Sequence, residues 1–314
     1  MTKIITLTLS PAFDVHCNCM NFEPYHENLA TITSREAGGK GVNISRALKR
    51  NGVDSLAVIV LGDENAADFE GMLRVDGITY RTVLRSGSIR ENMTLHTEGA
   101  PETRISFSGF SADVSLLGDT EAILDGCFAD GDAPIVTFTG RVPDGIPMDA
   151  VKAFLSRLSK RGARIVIDSK SFTADDIFEV SPYLIKPNEE EIGAYAQKAV
   201  ENEADAAQVA LSLRERGIEN VMISLGSRGA LLACRDGVLF ARPPKIDALS
   251  TIGAGDSSIA GFLSALVGGE ENFEKCLTTA VAYGTAACLT AGTLPPEHDD
   301  VERILPQVTL ERIG

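Results

Sequence analysis

The sequence predicts an α/β fold, with a mostly parallel central sheet covered by helices on both faces and a smaller β-sheet beside it. Three observations predict it. From residue 133 onward, short apolar runs alternate with segments of helical periodicity, the pattern of buried strands joined by helical crossovers. In the first half, two polar, strand-prone segments at 12–33 and 88–109 interrupt that pattern. They can pair into one thin sheet, which is marginal alone and needs cover from the main body. No internal repeat or low-complexity linker divides the 314 residues, a length sufficient for a sizeable core.

The elements follow in order. MTKIITLTLSPAFD opens with strand-like alternation, and a polar, strand-prone stretch runs over 14–33. A glycine-rich turn and helix follow in AGGKGVNISRALKRNG (37–52), then a strand at 54–61 and a helix at 63–75. Alternation returns over 78–108, with turn chemistry at Glu98-Gly99-Ala100-Pro101. In the second half, APIVTF (133–138), ARIVID (163–168), SPYLIK (181–186) and NVMISLG (220–226) are the strand candidates. Helical patterns lie at 148–160, from about 188, and at 203–215. ALLACRDGVLFAR is a hairpin turning at Asp236-Gly237. Helices at about 254–267 and 272–290 close the chain, the second with Phe273, Cys276, Leu277, Ala280, Val281, Gly284 and Cys288 at helical spacing.

Composition narrows the function. The net charge is −15, and no basic segment exceeds RALKR at 46–50, which argues against a nucleic-acid partner. No apolar run is long enough to span a bilayer, and the N-terminus lacks the pattern of a signal peptide. An anionic ligand would have to be drawn in by a few local cations against the overall field. The six cysteines show no disulfide spacing and read as reduced thiols in a cytoplasmic protein. Cys17 and Cys19 share one face of a strand with no C-x-x-C or histidine cluster to complete a metal site, and so read as packing.

The chemistry concentrates in STIGAGDSSIAGFL (250–263). Its glycines permit a sharp turn and close approach of a ligand. The free N–H groups of the following helix's first turn make an anion site. Asp256 could simply favour the first turn, but that does not explain the glycines that precede it. A transferred phosphoryl group, however, is attacked by a hydroxyl that must lose its proton. An aspartate beside an amide cradle can accept that proton. Neither G-x-x-x-x-G-K-[ST] nor G-x-G-x-x-G occurs at the glycine-rich turns, so a P-loop or a dinucleotide-binding turn is not indicated.

Taken with AGGKGVNISRALKRNG, this stretch resembles the paired signatures of the PfkB (ribokinase-like) carbohydrate kinases. Other landmarks of that family occur in order. Ser10-Pro11-Ala12-Phe13-Asp14 resembles N-P-A-x-D, and Arg90-Glu91-Asn92 resembles the start of R-x-N-x-K. Thr139-Gly140-Arg141-Val142-Pro143 resembles S-G-x-x-P, and Lys186-Pro187-Asn188-Glu189-Glu190-Glu191 resembles K-P-N-x-x-E. Ser224-Leu225-Gly226-Ser227-Arg228-Gly229 resembles the nucleotide loop T-x-G-x-x-G. The resemblance implies a ribokinase-like three-layer α/β/α sandwich with a β lid. The core would be 1–11, 34–87 and 110–314, and the lid 12–33 and 88–109.

The roles implied by the resemblance are these. Asp256 would be the catalytic base, with Gly253, Ala254 and Gly255 forming the anion hole. Asp14, Gly39, Lys40, Asn43, Arg90, Asn92 and Arg141 would bind substrate. Lys40 stands at a helix start, where its charge opposes the dipole, and that unfavourable placement itself favours a functional role. Lys186, Asn188, Ser224, Gly226, Ser227, Gly229 and Thr251 would bind ATP, and Glu191 would hold Mg²⁺ through water. Tyr283, Gly284 and Ala287 could border adenine, although their helical spacing reads as core. A homodimer through the lid is expected.

Ser250-Thr251, in place of Asp-Thr, and the start ITLTLSPAFD favour the 1-phosphofructokinase and tagatose-6-phosphate kinase branch. The expected reaction is ATP-dependent phosphorylation of fructose 1-phosphate to fructose 1,6-bisphosphate. Ser10 departs from the family's Asn, and Thr94 stands where phosphosugar kinases often have Lys, which removes one anchor for a substrate phosphate. Lys40, Arg90, Arg104 and Arg141 are the candidates to compensate. The alternatives are a tagatose-6-phosphate or fructose-6-phosphate kinase, a kinase of an unphosphorylated sugar or nucleoside, and a non-catalytic sugar- or nucleotide-binding regulator.

Overall fold

A computed structural model describes residues 3–128, 133–196, 200–269 and 271–313. Among these residues, ten strands form the main sheet. In chain order they are β1 (Ile4–Thr8), β4 (Leu56–Gly62), β5 (Thr79–Arg85), β8 (Ile135–Thr139), β9 (Arg164–Asp168), β10 (Leu184–Ile185), β11 (Asn220–Ser224), β12 (Ala230–Cys234), β13 (Gly237–Arg242) and β14 (Thr309–Arg312). Their spatial order is β14-β13-β12-β11-β10-β9-β8-β1-β4-β5. The strands from β5 to β11 are parallel, and β12, β13 and β14 continue the sheet antiparallel.

Two apolar layers explain the continuous apolar strands. On one face, Leu7, Val136, Ile165 and Ile223 pack beneath α3 (Ser115–Asp125), α4 (Met148–Lys160), α5 (Ala174–Val180), α6 (Glu189–Ala196) and α7 (Glu203–Glu215). On the other, Ile4, Ile135, Val166 and Leu232 pack against α1 (Lys40–Arg50), α8 (Ala254–Val267), α9 (Phe273–Ala287) and α10 (His298–Ile304). Side chains that alternate on a strand are therefore buried on both sides, and the alternating polar pattern of a one-sided sheet is lost. α8 and α9 approach closely at Gly284, where an added Cβ would lie 2.3 Å from Ser258 Oγ. Gly284, Tyr283 and Ala287 are buried there as core.

The smaller sheet has the order β3-β2-β6-β7, built from β2 (Ala12–Cys19), β3 (Thr31–Gly38), β6 (Arg90–Thr97) and β7 (Thr103–Ser106). The β2–β6 pair is parallel and the others antiparallel. Phe13, Val15, Cys17 and Leu95 belong to a third apolar cluster shared with Phe69 and Leu73 of α2 (Ala66–Val75). That cluster anchors the small sheet to the main body, which it could not do without by itself. Cys17 and Cys19 are both buried and form no disulfide, and Cys19 Sγ donates to the Asn21 carbonyl oxygen at 3.2 Å.

Among the described residues, the α-helices α3, α5 and α10 and the strand β14 lie outside the pattern read from the sequence. β14 is an edge strand whose pairing depends on β13 being in place, as in Phe240↔Glu311. Among the described residues, no helix is long and apolar enough to cross a membrane.

Candidate active site

The parallel strands place their carboxyl ends along one edge, where Gly140 follows β8, Asp168 ends β9, Lys186 follows β10 and Ser224 ends β11. Ligands of open α/β sheets bind outside this edge. The entry to α8 belongs to the same region, because Gly255 lies against Lys186: an added Cβ would be 3.1 Å from its Nζ. Gly253 turns the chain with φ 79° and ψ −8°, the left-handed region, which a side chain would strain. Gly255 and Asp256 fall in the first turn, where N–H groups have no helical partner.

Asp256 is buried, and its carboxylate accepts a 2.9 Å hydrogen bond from Asn43 Nδ2 of α1. Burial pushes its pKa up to about 6, and the nearby Asp168 carboxylate adds to that rise. The ammonium groups of Lys40 and Lys186 and the Asn43 hydrogen bond oppose it. The arrangement holds a basic carboxylate beside the first-turn amides, of which Ala254 N makes a long, 3.4 Å contact to the Thr251 carbonyl oxygen.

Asp168 is the group that sequence reasoning missed. Lys40 Nζ donates to its Oδ2 at 2.9 Å, and Lys186 Nζ lies 3.6 Å from the same oxygen. Burial disfavours its charge, but the two ammonium groups prevail and hold its carboxyl below the usual range. Lys40 is correspondingly a stronger base than a free lysine: desolvation works against its charge, and Asp168 and Asp256 outweigh that. The available signal was an acid closing the buried run ARIVID at a carboxyl end.

On the small sheet, Asp14 and Asn92 are register partners, and Asn92 Nδ2 donates to Asp14 Oδ1 at 3.0 Å. Arg90 Nη1 donates to Asn92 Oδ1 at 3.1 Å. Gly38 leaves room for the Asp14 carboxylate, since an added Cβ would lie 2.1 Å from Oδ2. Burial raises the Asp14 pKa, with Asn92 and then the Arg104 charge opposing. Arg90 is lowered by burial and by repulsion from Arg141, and its Nε is buried without a partner. Arg141 is exposed and ion-paired with Asp144 at 2.8 Å. Gly39, with φ 119°, brings the chain against Thr8 and starts α1, which carries Lys40 and Asn43.

The remaining expected residues follow the sheet outward. Asn188 N donates to Glu191 Oε2 at 3.0 Å and Glu191 N to Asn188 Oδ1 at 2.8 Å, a reciprocal cap on α6. Asn188 bridges to Ser224. Gly226 and Gly229 both have positive φ, and a Cβ at Gly229 would lie 2.0 Å from the Ala241 carbonyl oxygen, so the loop carrying Ser227 has one path. Thr251 is exposed just before the Gly253 turn.

A second network escaped sequence reading because its members are distant in the chain. Arg46 pairs with Glu36 at 3.1 Å, Thr293 Oγ1 donates to Glu36 at 3.2 Å, and His16 lies against Gly292. These contacts tie the small sheet to the segment after α9. A cavity of about 620 Å³ lined by Arg235, Glu271, Lys275 and Arg312 lies at the β12–β13 turn, the opposite edge of the sheet. Its two arginines are ion-paired, Arg235 with Glu271 at 2.8 Å and Arg312 with Glu274 at 2.7 Å.

Comparison with known proteins identifies the family and the fold. Residues 10–300 match the pfkB family of carbohydrate kinases. The 1-phosphofructokinase of Escherichia coli K12 is 32% identical over 309 residues, covering 98% of each chain. The 1-phosphofructokinase of Bacillus subtilis 168 is 29% identical, covering 99% of this chain and 100% of the relative. The crystal structure of phosphofructokinase-2 from Escherichia coli in complex with potassium superposes with a TM-score of 0.89 at 25% identity, covering 98% of this chain and 99% of that one.

Proposed function

The chain belongs to the pfkB family of carbohydrate kinases, and from that premise we propose that it phosphorylates fructose 1-phosphate at the expense of ATP. The sugar hydroxyl oxygen forms a bond to the γ-phosphorus, the bond from that phosphorus to the leaving oxygen of ADP breaks, and the hydroxyl proton passes to Asp256. The products are fructose 1,6-bisphosphate and ADP. The observation that carries this reading is the buried Asp256 carboxylate in the first turn of α8, with a pKa of about 6. At neutral pH it is mostly ionised and a better proton acceptor than an exposed aspartate.

The other residues take supporting roles. N–H groups at Gly253, Ala254 and Gly255 grip the transferring oxygens. Lys40 and Lys186 offset phosphate charge while Asp168 holds them in place. Asp14 and Asn92 orient the sugar beneath a lid made by the small sheet, whose strand β3 runs on to Gly38, past the expected boundary at 33. The loop from Ser224 to Gly229, bridged to Asn188, takes the nucleotide together with Thr251.

Mg²⁺ fits this site as an ion carried mainly by phosphate oxygens and water. Among the described residues, no cluster of three or more metal-ligating side chains exists, while the Glu191 carboxylate lies near the cavity beside Asp168 and Lys186. Glu191 would hold the ion through water, and the ion would supply charge neutralisation at the β- and γ-phosphates.

We also propose a homodimer through the small sheet. Ile32, Ile105 and Phe107 remain 63%, 41% and 49% exposed there, and register places Ile32 opposite Cys17 and Ile105 opposite Met93. That is the face turned away from Asp14.

The deciding experiment is an ATP-consumption screen across ketose phosphates, free sugars and nucleosides. The highest kcat/KM is expected with fructose 1-phosphate. A free sugar or nucleoside that performs as well would reject the acceptor, and transfer to none of them would reject catalysis.

A further inference from the structure

We propose that Arg104, reaching from β7, is the ligand for the phosphate already present on the acceptor and so sets the preference for a phosphorylated ketose. This rests on the function proposed above and adds a specificity-determining residue to it.

The sheet register gives the position. Thr94 and Arg104 are antiparallel partners, as are Asn92 and Ser106, and Asn92 is the parallel partner of Asp14. Paired residues project from the same face of a sheet, so Arg104 emerges on the face that presents Asp14 and Asn92. Thr94 is only 3% exposed and uncharged. It cannot neutralise a phosphate, but it leaves its cross-strand neighbour room to lean over it. A lysine missing at position 94 is thus answered by an arginine directly across the ladder.

The electrostatics point the same way. Arg104 is exposed, and among the described residues its side chain forms no ion pair or hydrogen bond. In a chain with 44 acidic and 29 basic residues, an arginine without a carboxylate is conspicuous. Elsewhere on this sheet Arg35 pairs with Glu91 at 3.0 Å. The Arg104 charge is nevertheless felt at Asp14, where it favours the carboxylate. Nearby, Arg90 and Arg141 repel one another, and the buried Arg90 Nε has no acceptor. An anion would relieve that repulsion and give the Arg90 Nε an acceptor, and the planar guanidinium fork suits a phosphate.

The test compares the wild type with Arg104→Ala and with a charge transposition, Thr94→Lys combined with Arg104→Thr. For Arg104→Ala, the KM for fructose 1-phosphate is expected to rise at least ~10-fold, with kcat within ~3-fold, an unchanged KM for ATP and an unchanged melting temperature. The transposition is expected to recover most of the lost affinity, which a merely structural role for Arg104 would not predict. Titration calorimetry with fructose 1-phosphate in the absence of ATP provides a readout independent of turnover. Equal affinity of wild type and Arg104→Ala in that titration would overturn this inference even if the wild type is an active kinase. Conversely, a wild type that binds fructose 1-phosphate through Arg104 but transfers nothing to it would reject the proposed reaction and leave the phosphate site standing.

Discussion

The Asn43 side-chain amide donates a 2.9 Å hydrogen bond to the Asp256 carboxylate, joining α1 to α8 across 213 residues of chain. The two glycine-rich motifs, one near each end of the sequence, are thereby parts of one site. Asn43 helps keep the carboxylate oriented and ionised, and burial makes it basic.

Replacing that carboxylate separates chemistry from folding. Asp256→Asn is expected to lower kcat by at least ~100-fold, the usual scale for loss of a general base. Its folded pKa lies above the unfolded value, so the stability linked to its proton is fully present below the unfolded pKa, near 4, and is lost as pH rises through about 6. Asparagine escapes that loss, so the variant should melt no lower than wild type at pH 8. Near-normal turnover, measured by ADP release, would remove Asp256 from its role.

The same group sets the acid limb of the rate profile. kcat/KM should fall as pH drops through about 6, where the carboxylate takes up a proton and ceases to be a base. Asn43→Ala deletes a hydrogen bond that favours the ionised form, so the limb should move to higher pH. A limb that stays in place in Asn43→Ala, or persists in Asp256→Asn, would assign it to another group.

Asp168 holds Lys40 and Lys186 together, and its removal leaves two ammonium groups facing each other. Asp168→Asn is expected to lower unfolding stability by about 3 kcal/mol at neutral pH. That is the low end for breaking a buried pair, because Lys40 keeps 34% of its side-chain surface exposed. The folded pKa of Asp168 is depressed, so its contribution is present above the unfolded pKa and fades as pH falls below it. Urea titrations of wild type and variant should therefore differ at pH 7 and converge in acid, and parallel curves at both would reject the pairing.

Two glycines are substitutable only at a cost to the site. In Gly38→Ala the new Cβ would sit 2.1 Å from Asp14 Oδ2 and drive the carboxylate away. Roughly 10-fold or more should be lost in kcat/KM for the sugar, on the scale of an ångström of misplacement. Gly255→Val pushes against Lys186 Nζ and should cost on the order of 3 kcal/mol of transition-state stabilisation through loss of an amide donor. Steady-state kinetics in both substrates check the two, and unchanged turnover in Gly255→Val would argue against the anion hole.

A charge placed in the exposed apolar face of the small sheet should separate subunits. Ile105→Glu with Phe107→Glu is expected to shift the molar mass measured by light scattering from dimer to monomer. A wild type that is already monomeric at micromolar concentration would reject the interface.

Much of this was legible in one dimension. The run from APIVTF to NVMISLG marked the parallel sheet because strands buried on both faces are apolar at every position. The helix boundaries at 148–160 and 203–215 matched α4 and α7 because amphipathic periodicity is local. GAGD announced a helix start with an acid at its mouth for the same reason. β14 was not legible, since an edge strand is made by its partner rather than by its own residues. Nor were the pairing of Asp168 with two lysines, the rise of Asp256 to about 6, or the placement of Arg104 across from Thr94. The sequence by itself determined which residues could bend, cap and carry charge. The tertiary structure alone decided which charges meet and how much water they lose, because burial and Coulomb interaction depend on distance in space and not on distance along the chain.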